Sequence, residues 1–173
     1  MGISFLNNMN IKRPKEEFKT LAKISRCTEL IGLYLVNAQV SRKPEIGQFK
    51  NIGAEFEYSG SLFERKDDQF QAKVDISVRG VNKDEDEPQP EVSIQGEYLV
   101  TYKIIYNSEI CDADLEVFCS INALYNVWPY FRHLVSSMCN TMYIPQLLLP
   151  LLRIIQGKQA DDRDMIEETP QVE

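Results

Sequence analysis

Little in this chain could perform covalent chemistry. There is one histidine, His133, and one tryptophan, Trp128, and the four cysteines (Cys27, Cys111, Cys119, Cys139) form no CxxC pair. Without a set of histidine partners a zinc site is not expected, and buried reduced thiols acting as small hydrophobes are. No GxGxxG, P-loop or HExxH is present, and eight glycines scattered over 173 residues leave little material for a phosphate-cradling loop. No Ser or Cys has a second base beside it in sequence to build a triad. An enzyme is therefore not expected, nor a cofactor or a metal.

Excess positive charge is also missing. A net charge of −7 and a pI near 4.9 exclude the basic patch that a nucleic-acid binder needs to neutralise phosphates. No apolar run reaches transmembrane length, so membrane insertion is not expected. The start, MGISFLNNMN, lacks the basic and apolar regions of a secretory leader, and with the unpaired cysteines this predicts a reducing cytoplasm. Hydrophobic residues at 43% and charged residues at 26% suit a globular protein, read as a single domain over residues 1–157. Residues 158–173 are charged and poor in apolar groups, which predicts a disordered acidic tail.

What the chain does have is strand-like alternation. Pro14, followed by Glu16 and Glu17, predicts a helix over 14–25, with Phe18, Leu21, Ala22 and Ser25 on one stripe. Residues 30–40 (LIGLYLVNAQV) read as a strand that is apolar on both sides: Leu30, Tyr34, Val36 and Val40 one way, Ile31, Leu33 and Leu35 the other. Residues 52–63, 70–80 and 92–106 alternate more cleanly. Their inward sets are Ala54, Phe56, Tyr58 and Leu62; Phe70, Ala72, Val74, Ile76 and Val78; and Val92, Ile94, Tyr98, Val100 and Tyr102. The polar loop NKDEDEPQPE over 82–91 joins the last two. Four successive strands with polar connections predict an antiparallel sheet that needs a helical cover.

The cover follows. Asp112 and Asp114 suit the start of a helix from about 113 to 125, and Pro129 suits the first turn of another. In the second, Phe131, Leu134, Val135, Met138 and Met142 fall at helical spacing until Ile144-Pro145 ends it. Gln146 to Ile155 is too apolar for an ordinary loop, and Pro145 and Pro150 argue against a regular helix before Leu151. Apolar surface with no chemistry points to binding.

Residues 122–153, NALYNVWPYFRHLVSSMCNTMYIPQLLLPLLR, resemble the SecB family of protein-export chaperones and their SecB-like relatives. The residues concerned are Pro129-Tyr130 and Arg132 at a helix start, then Pro145, Leu147, Leu149 and Pro150. With the four strands, the resemblance spans about residues 30–153. It implies an α+β fold, a four-stranded antiparallel sheet packed against helices. It also implies an ATP-independent holdase that assembles as a homotetramer, a dimer of dimers, and binds unfolded polypeptide clients for protein export and translocation.

On that reading the client-binding residues are Phe56, Tyr58, Trp128, Tyr143, Ile144, Leu147, Leu148, Leu149 and Leu151, and the oligomer contact is Ile31, Leu33 and Leu35. The translocase motor SecA is an implied partner. Three departures raise the alternative of another branch of the family, chaperones dedicated to an antitoxin in a toxin–antitoxin–chaperone operon, and are compatible with either role. Thr101 and Lys103 stand near the place of the family's motor-docking acid. The terminal helix is cut short by Gly157, and the helix from Pro14 is extra. A scaffold module that binds a folded partner is the reading outside the chaperone class.

Overall fold

Strand-length alternation becomes a sheet. The computed structural model describes residues 9–44, 52–82, 90–106 and 109–156. In order these form β1 (Met9–Arg13), α1 (Lys15–Ser25), β2 (Thr28–Arg42), β3 (Ile52–Lys66), β4 (Gln69–Asn82) and β5 (Pro90–Ile104). Then come α2 (Asp112–Phe118), a π-helical turn (Cys119–Ala123), α3 (Leu124–Thr141) and β6 (Leu152–Gln156). Most of the 82–91 loop and the whole 158–173 tail lie outside the described residues.

The four long strands make one antiparallel sheet in the order β2-β5-β4-β3, and the helices cover one face. This is the α+β architecture expected from the alternation. Every second residue of β4 and β5 is buried, from Phe70 to Val78 and from Val92 to Tyr102. Against them pack Leu115 and Phe118 of α2 and Leu124, Val127, Phe131 and Val135 of α3. Phe70 stacks on Tyr102 at 5.1 Å, and both meet Phe118 edge-on, at 5.9 and 5.2 Å. Such ring pairs add about 0.5–1.5 kcal/mol beyond area burial.

Four local expectations change. In β2, register shifts after Leu30 and after Leu35 insert bulges. Residues directly opposite share a face. Leu30, Leu33, Leu35 and Val40 therefore all lie on the helix side, opposite Tyr102, Val100, Tyr98 and Ile94. Two added residues reset the phase that simple alternation assumed.

In α1 the buried stripe runs through Leu21 and Ile24, while Ala22 and Ser25 are exposed, because the helix packs on α2 and the start of β2. The two cover helices are continuous: Pro129 sits inside α3, not at its start. Val127, Trp128 and Phe131 are buried on both sides of it, so packing holds the backbone helical, and the wide π turn lies one turn upstream. Finally β1, at positions where no element was expected, pairs in parallel with β6 as a separate two-stranded sheet.

Candidate functional site

The end of α3 is built to display a tyrosine. Ile144 N–H donates to Cys139 O at 3.1 Å and Tyr143 N–H to Asn140 O at 3.2 Å, the paired bonds of a Schellman motif. That motif needs a left-handed residue, and Tyr143 occupies it with φ 54°. Glycine is the usual choice there, since a side chain in this region costs about 1–2 kcal/mol. The Tyr143 ring is nevertheless 95% exposed, so no packing offsets the strain. Arg42, at the end of β2, donates to the Met142 carbonyl and ties the sheet edge to this corner.

From there the chain runs without regular structure to Leu151, and its apolar groups divide into an inner row that is buried and an outer row defined by exposure. Ile144, Leu149 and Leu152 are buried in the core, and Leu147 packs against it half-buried. Leu148 and Leu151 are 57% and 56% exposed and, with Tyr143, form the outer set. The inner row is fastened by polar groups as well. Trp128 Nε1 donates to Pro150 O at 3.1 Å, and Gln146 Nε2 donates to Asn140 Oδ1 at 2.6 Å and Ser136 O at 3.3 Å. The outer row is thus held on a fixed track.

The nine residues singled out from sequence therefore separate by position. Trp128, Ile144 and Leu149 lie in the core; Phe56, Tyr58 and Leu147 are half-buried; Tyr143, Leu148 and Leu151 face outward. Phe56 approaches Trp128 at 6.1 Å between ring centres, and Trp128 approaches Phe131 at 6.4 Å, so sheet and helix meet behind the segment. Of the β2 residues, Ile31 and Leu35 are exposed and Leu33 is half-buried. Sequence reasoning did not single out Tyr34 and Val36, which are 59% and 54% exposed. Alternation could not reveal them, because it takes every apolar position of a strand as a candidate for cover.

The other face of the sheet is polar. A shallow depression there is lined by Asn37, Gln39, Glu57, Asp75, Gln95 and Glu97, among others. Lys73 bridges Glu97 at 3.0 Å and Asp75 at 3.7 Å, and Arg79 pairs with Glu55 at 3.8 Å and with Glu57. Its hydrogen bond to Glu97 and the charge of Asp75 raise the Lys73 pKa. These are exposed pairs, worth little to stability.

Groups able to do chemistry are muted. His133 is exposed on α3. Burial pushes the Cys119 thiol up to about 12 and raises that of Cys139, so neither is a thiolate near neutral pH. Burial likewise raises the hydroxyl of Tyr102, which accepts a hydrogen bond from Asn126 Nδ2 at 2.8 Å. Among the described residues no group of three His, Cys, Asp or Glu side chains converges as metal ligands would, and no helix is long and apolar enough to cross a membrane.

No protein-family model matches the chain, and no curated protein does. Among solved structures it is similar to the Mycobacterium tuberculosis SecB-like chaperone Rv1957, solved in complex with a ChAD peptide from the Rv1956 HigA1 antitoxin. The identity is 13% and the TM-score 0.70, over 79% of this chain and 99% of that one. A Streptococcus agalactiae protein of unknown function aligns over 72% of this chain and 97% of its own, at 11% identity, but a TM-score of 0.37 carries no fold argument. Four antiparallel strands covered on one face by helices, matched almost end to end by Rv1957, make this a SecB-like fold.

Proposed function

We propose that this protein is an ATP-independent chaperone that holds unfolded polypeptide on the outer apolar row, Tyr143, Leu148 and Leu151. One observation carries the reading: the chain accepts a left-handed tyrosine, 95% exposed, and two exposed leucines on one segment fastened from behind. A core would bury these groups, and exposed apolar surface gathered on one segment suits an interaction site. An unfolded client offers apolar side chains and unpaired backbone, which such a track suits better than directional polar groups do. Phe56, Tyr58 and Leu147 supply the half-buried wall behind it. No catalytic step, cofactor or metal is part of this role.

The assembly proposed is a homotetramer in the cytoplasm, joined through the bare β2 edge with Ile31, Leu33 and Leu35 at the contact. Two client classes remain: secretory precursors handed to the SecA motor, and a single antitoxin. That the structurally similar Rv1957 was solved with an antitoxin peptide favours the second.

The test is aggregation of a chemically denatured client with and without the protein, in the absence of ATP. Suppression at stoichiometric amounts is expected, and none at several-fold excess sinks the role. An antitoxin segment held far more tightly than a denatured secretory precursor would select the dedicated chaperone. A stable complex with a folded partner and no affinity for denatured chains would select the scaffold reading.

A further inference from the structure

β6 is a strong strand with a weak partner. Its sequence, LRIIQ, is rich in β-formers, whereas that of β1, MNIKR, holds Asn and Lys, which strands disfavour. The two pair in parallel from Met9↔Leu152 to Arg13↔Gln156, apart from the main sheet. An isolated two-stranded pair is at best marginal in water, and parallel pairing is the weaker kind.

The anchoring is unequal as well. β6 is fixed to the body: Leu152 is buried in the core, and Trp128 holds the Pro150 carbonyl two residues earlier. β1 makes extensive contact with β6 and with no other element among the described residues, and only Pro14 separates it from α1. Removing β1 would open a pairing edge on β6. That edge directly continues the segment that carries exposed Leu148 and Leu151.

Given the client-holding role proposed above, we infer that the β6 edge is a strand-addition site for an extended client segment, and that β1 is its resident occupant. The ligand class is extended polypeptide with apolar residues at alternate positions, since Met9 and Ile11 stand opposite Leu152 and Ile154 in the register. Backbone hydrogen bonds to β6 and side-chain contacts on the outer row then act on one peptide at once. Occupancy of the edge by β1 at about ten to one lowers apparent client affinity ~10-fold, because only the open fraction binds.

The experiment uses the full-length protein in three forms and a fluorescein-labelled extended peptide of about ten alternating apolar and polar residues, long enough to cover one strand. The forms are the native chain, Ile11→Pro, and a disulfide clamp made by Asn10→Cys and Arg153→Cys, register partners. The clamp is built on a Cys111→Ser background, since Cys111 is the exposed native thiol. Proline disfavours strand pairing because it carries no backbone amide to donate.

Expected are roughly 10-fold tighter binding by Ile11→Pro, and weaker binding by the clamp that a reductant restores. Hydrogen exchange at residues 152–156 should quicken in free Ile11→Pro and slow again when peptide is added. Equal affinity in all three forms would overturn the strand-addition site and leave the holdase role standing. Loss of binding in Ile11→Pro, with the circular dichroism unchanged, would make β1 a wall of the site, not its occupant. No binding by any form would remove the client-holding role and this site with it.

Discussion

The two edges of the main sheet are treated in opposite ways. β3 is guarded. A bulge interrupts its pairing after Leu62, and the Leu62 amide donates to Glu116 Oε2 of α2 at 2.8 Å. Gly60 lies so close to the π turn that a Cβ would sit 2.9 Å from the Cys119 carbonyl, and Glu55 and Glu57 charge the strand. β2 is also bulged, after Leu30 and after Leu35, but its apolar groups are left bare. Its outer edge has no partner among the described residues, and Leu30, Ile31, Tyr34, Leu35, Val36 and Val40 are all exposed. An unguarded apolar edge on a stable sheet is an aggregation hazard unless something pairs with it. The proline segment repeats the contrast within ten residues, with one row buried and one row bare.

That contrast can be broken or sharpened in five steps. The largest effect should come from the proline segment. Leu149→Ser should cost about 2–5 kcal/mol, the range for emptying a buried leucine site. Leu148→Ser should stay within ~0.5 kcal/mol, as for exposed positions, while weakening client binding. Urea denaturation of both variants beside the aggregation assay checks this; equal stability losses would make the outer row part of the core.

Gly60→Ala comes next. With backbone atoms at 2.9 and 3.2 Å from the new Cβ, overpacking of about 1–3 kcal/mol is expected, read as a lower denaturation midpoint. A neutral result would show that the π turn yields easily. Tyr143→Gly should do the reverse, relieving the left-handed strain and stabilising the fold by up to about 1 kcal/mol while client binding falls. If binding is kept, the ring is not part of the site.

Ile31→Lys should leave the denaturation midpoint of the dissociated chain unchanged within about 0.5 kcal/mol. Light scattering should nevertheless report a smaller assembly, and an unchanged mass would clear β2 of the contact. The smallest effect is confined to alkaline solution. Burial lifts Cys119 from 9.0 to about 12 and Tyr98 from 10.0 to about 12. Below about pH 9 both the folded and unfolded chains keep these protons, and stability is flat. As the pH rises from there towards 12 the unfolded chain releases its protons first, so stability should fall. Chemical denaturation at pH 8 and pH 10.5 reads the difference.

The sheet was legible because period-two alternation in β4 and β5 answers directly to one buried face. The phase of β2 was not, because bulges after Leu30 and Leu35 are set by pairing with β5 and leave no mark in composition. Pro129 misled for a related reason. Local propensity places proline at a helix start, and burial of Val127, Trp128 and Phe131 on either side of it overrides that preference. Of the candidate site, the sequence indicated the right segment but not its two rows, since an irregular chain has no period from which to read a face.

By itself, then, the amino-acid sequence determined the four strands, the helical cover, the apolar proline-framed segment and the scarcity of catalytic groups. These follow from side-chain periodicity and from residue types, which are local properties. Only the tertiary structure decided which apolar groups remain in water, that Tyr143 is held left-handed, and that β1 lies on β6. Those outcomes depend on contacts between residues far apart in sequence, Trp128 with Pro150 and Met9 with Leu152, and no local pattern encodes them.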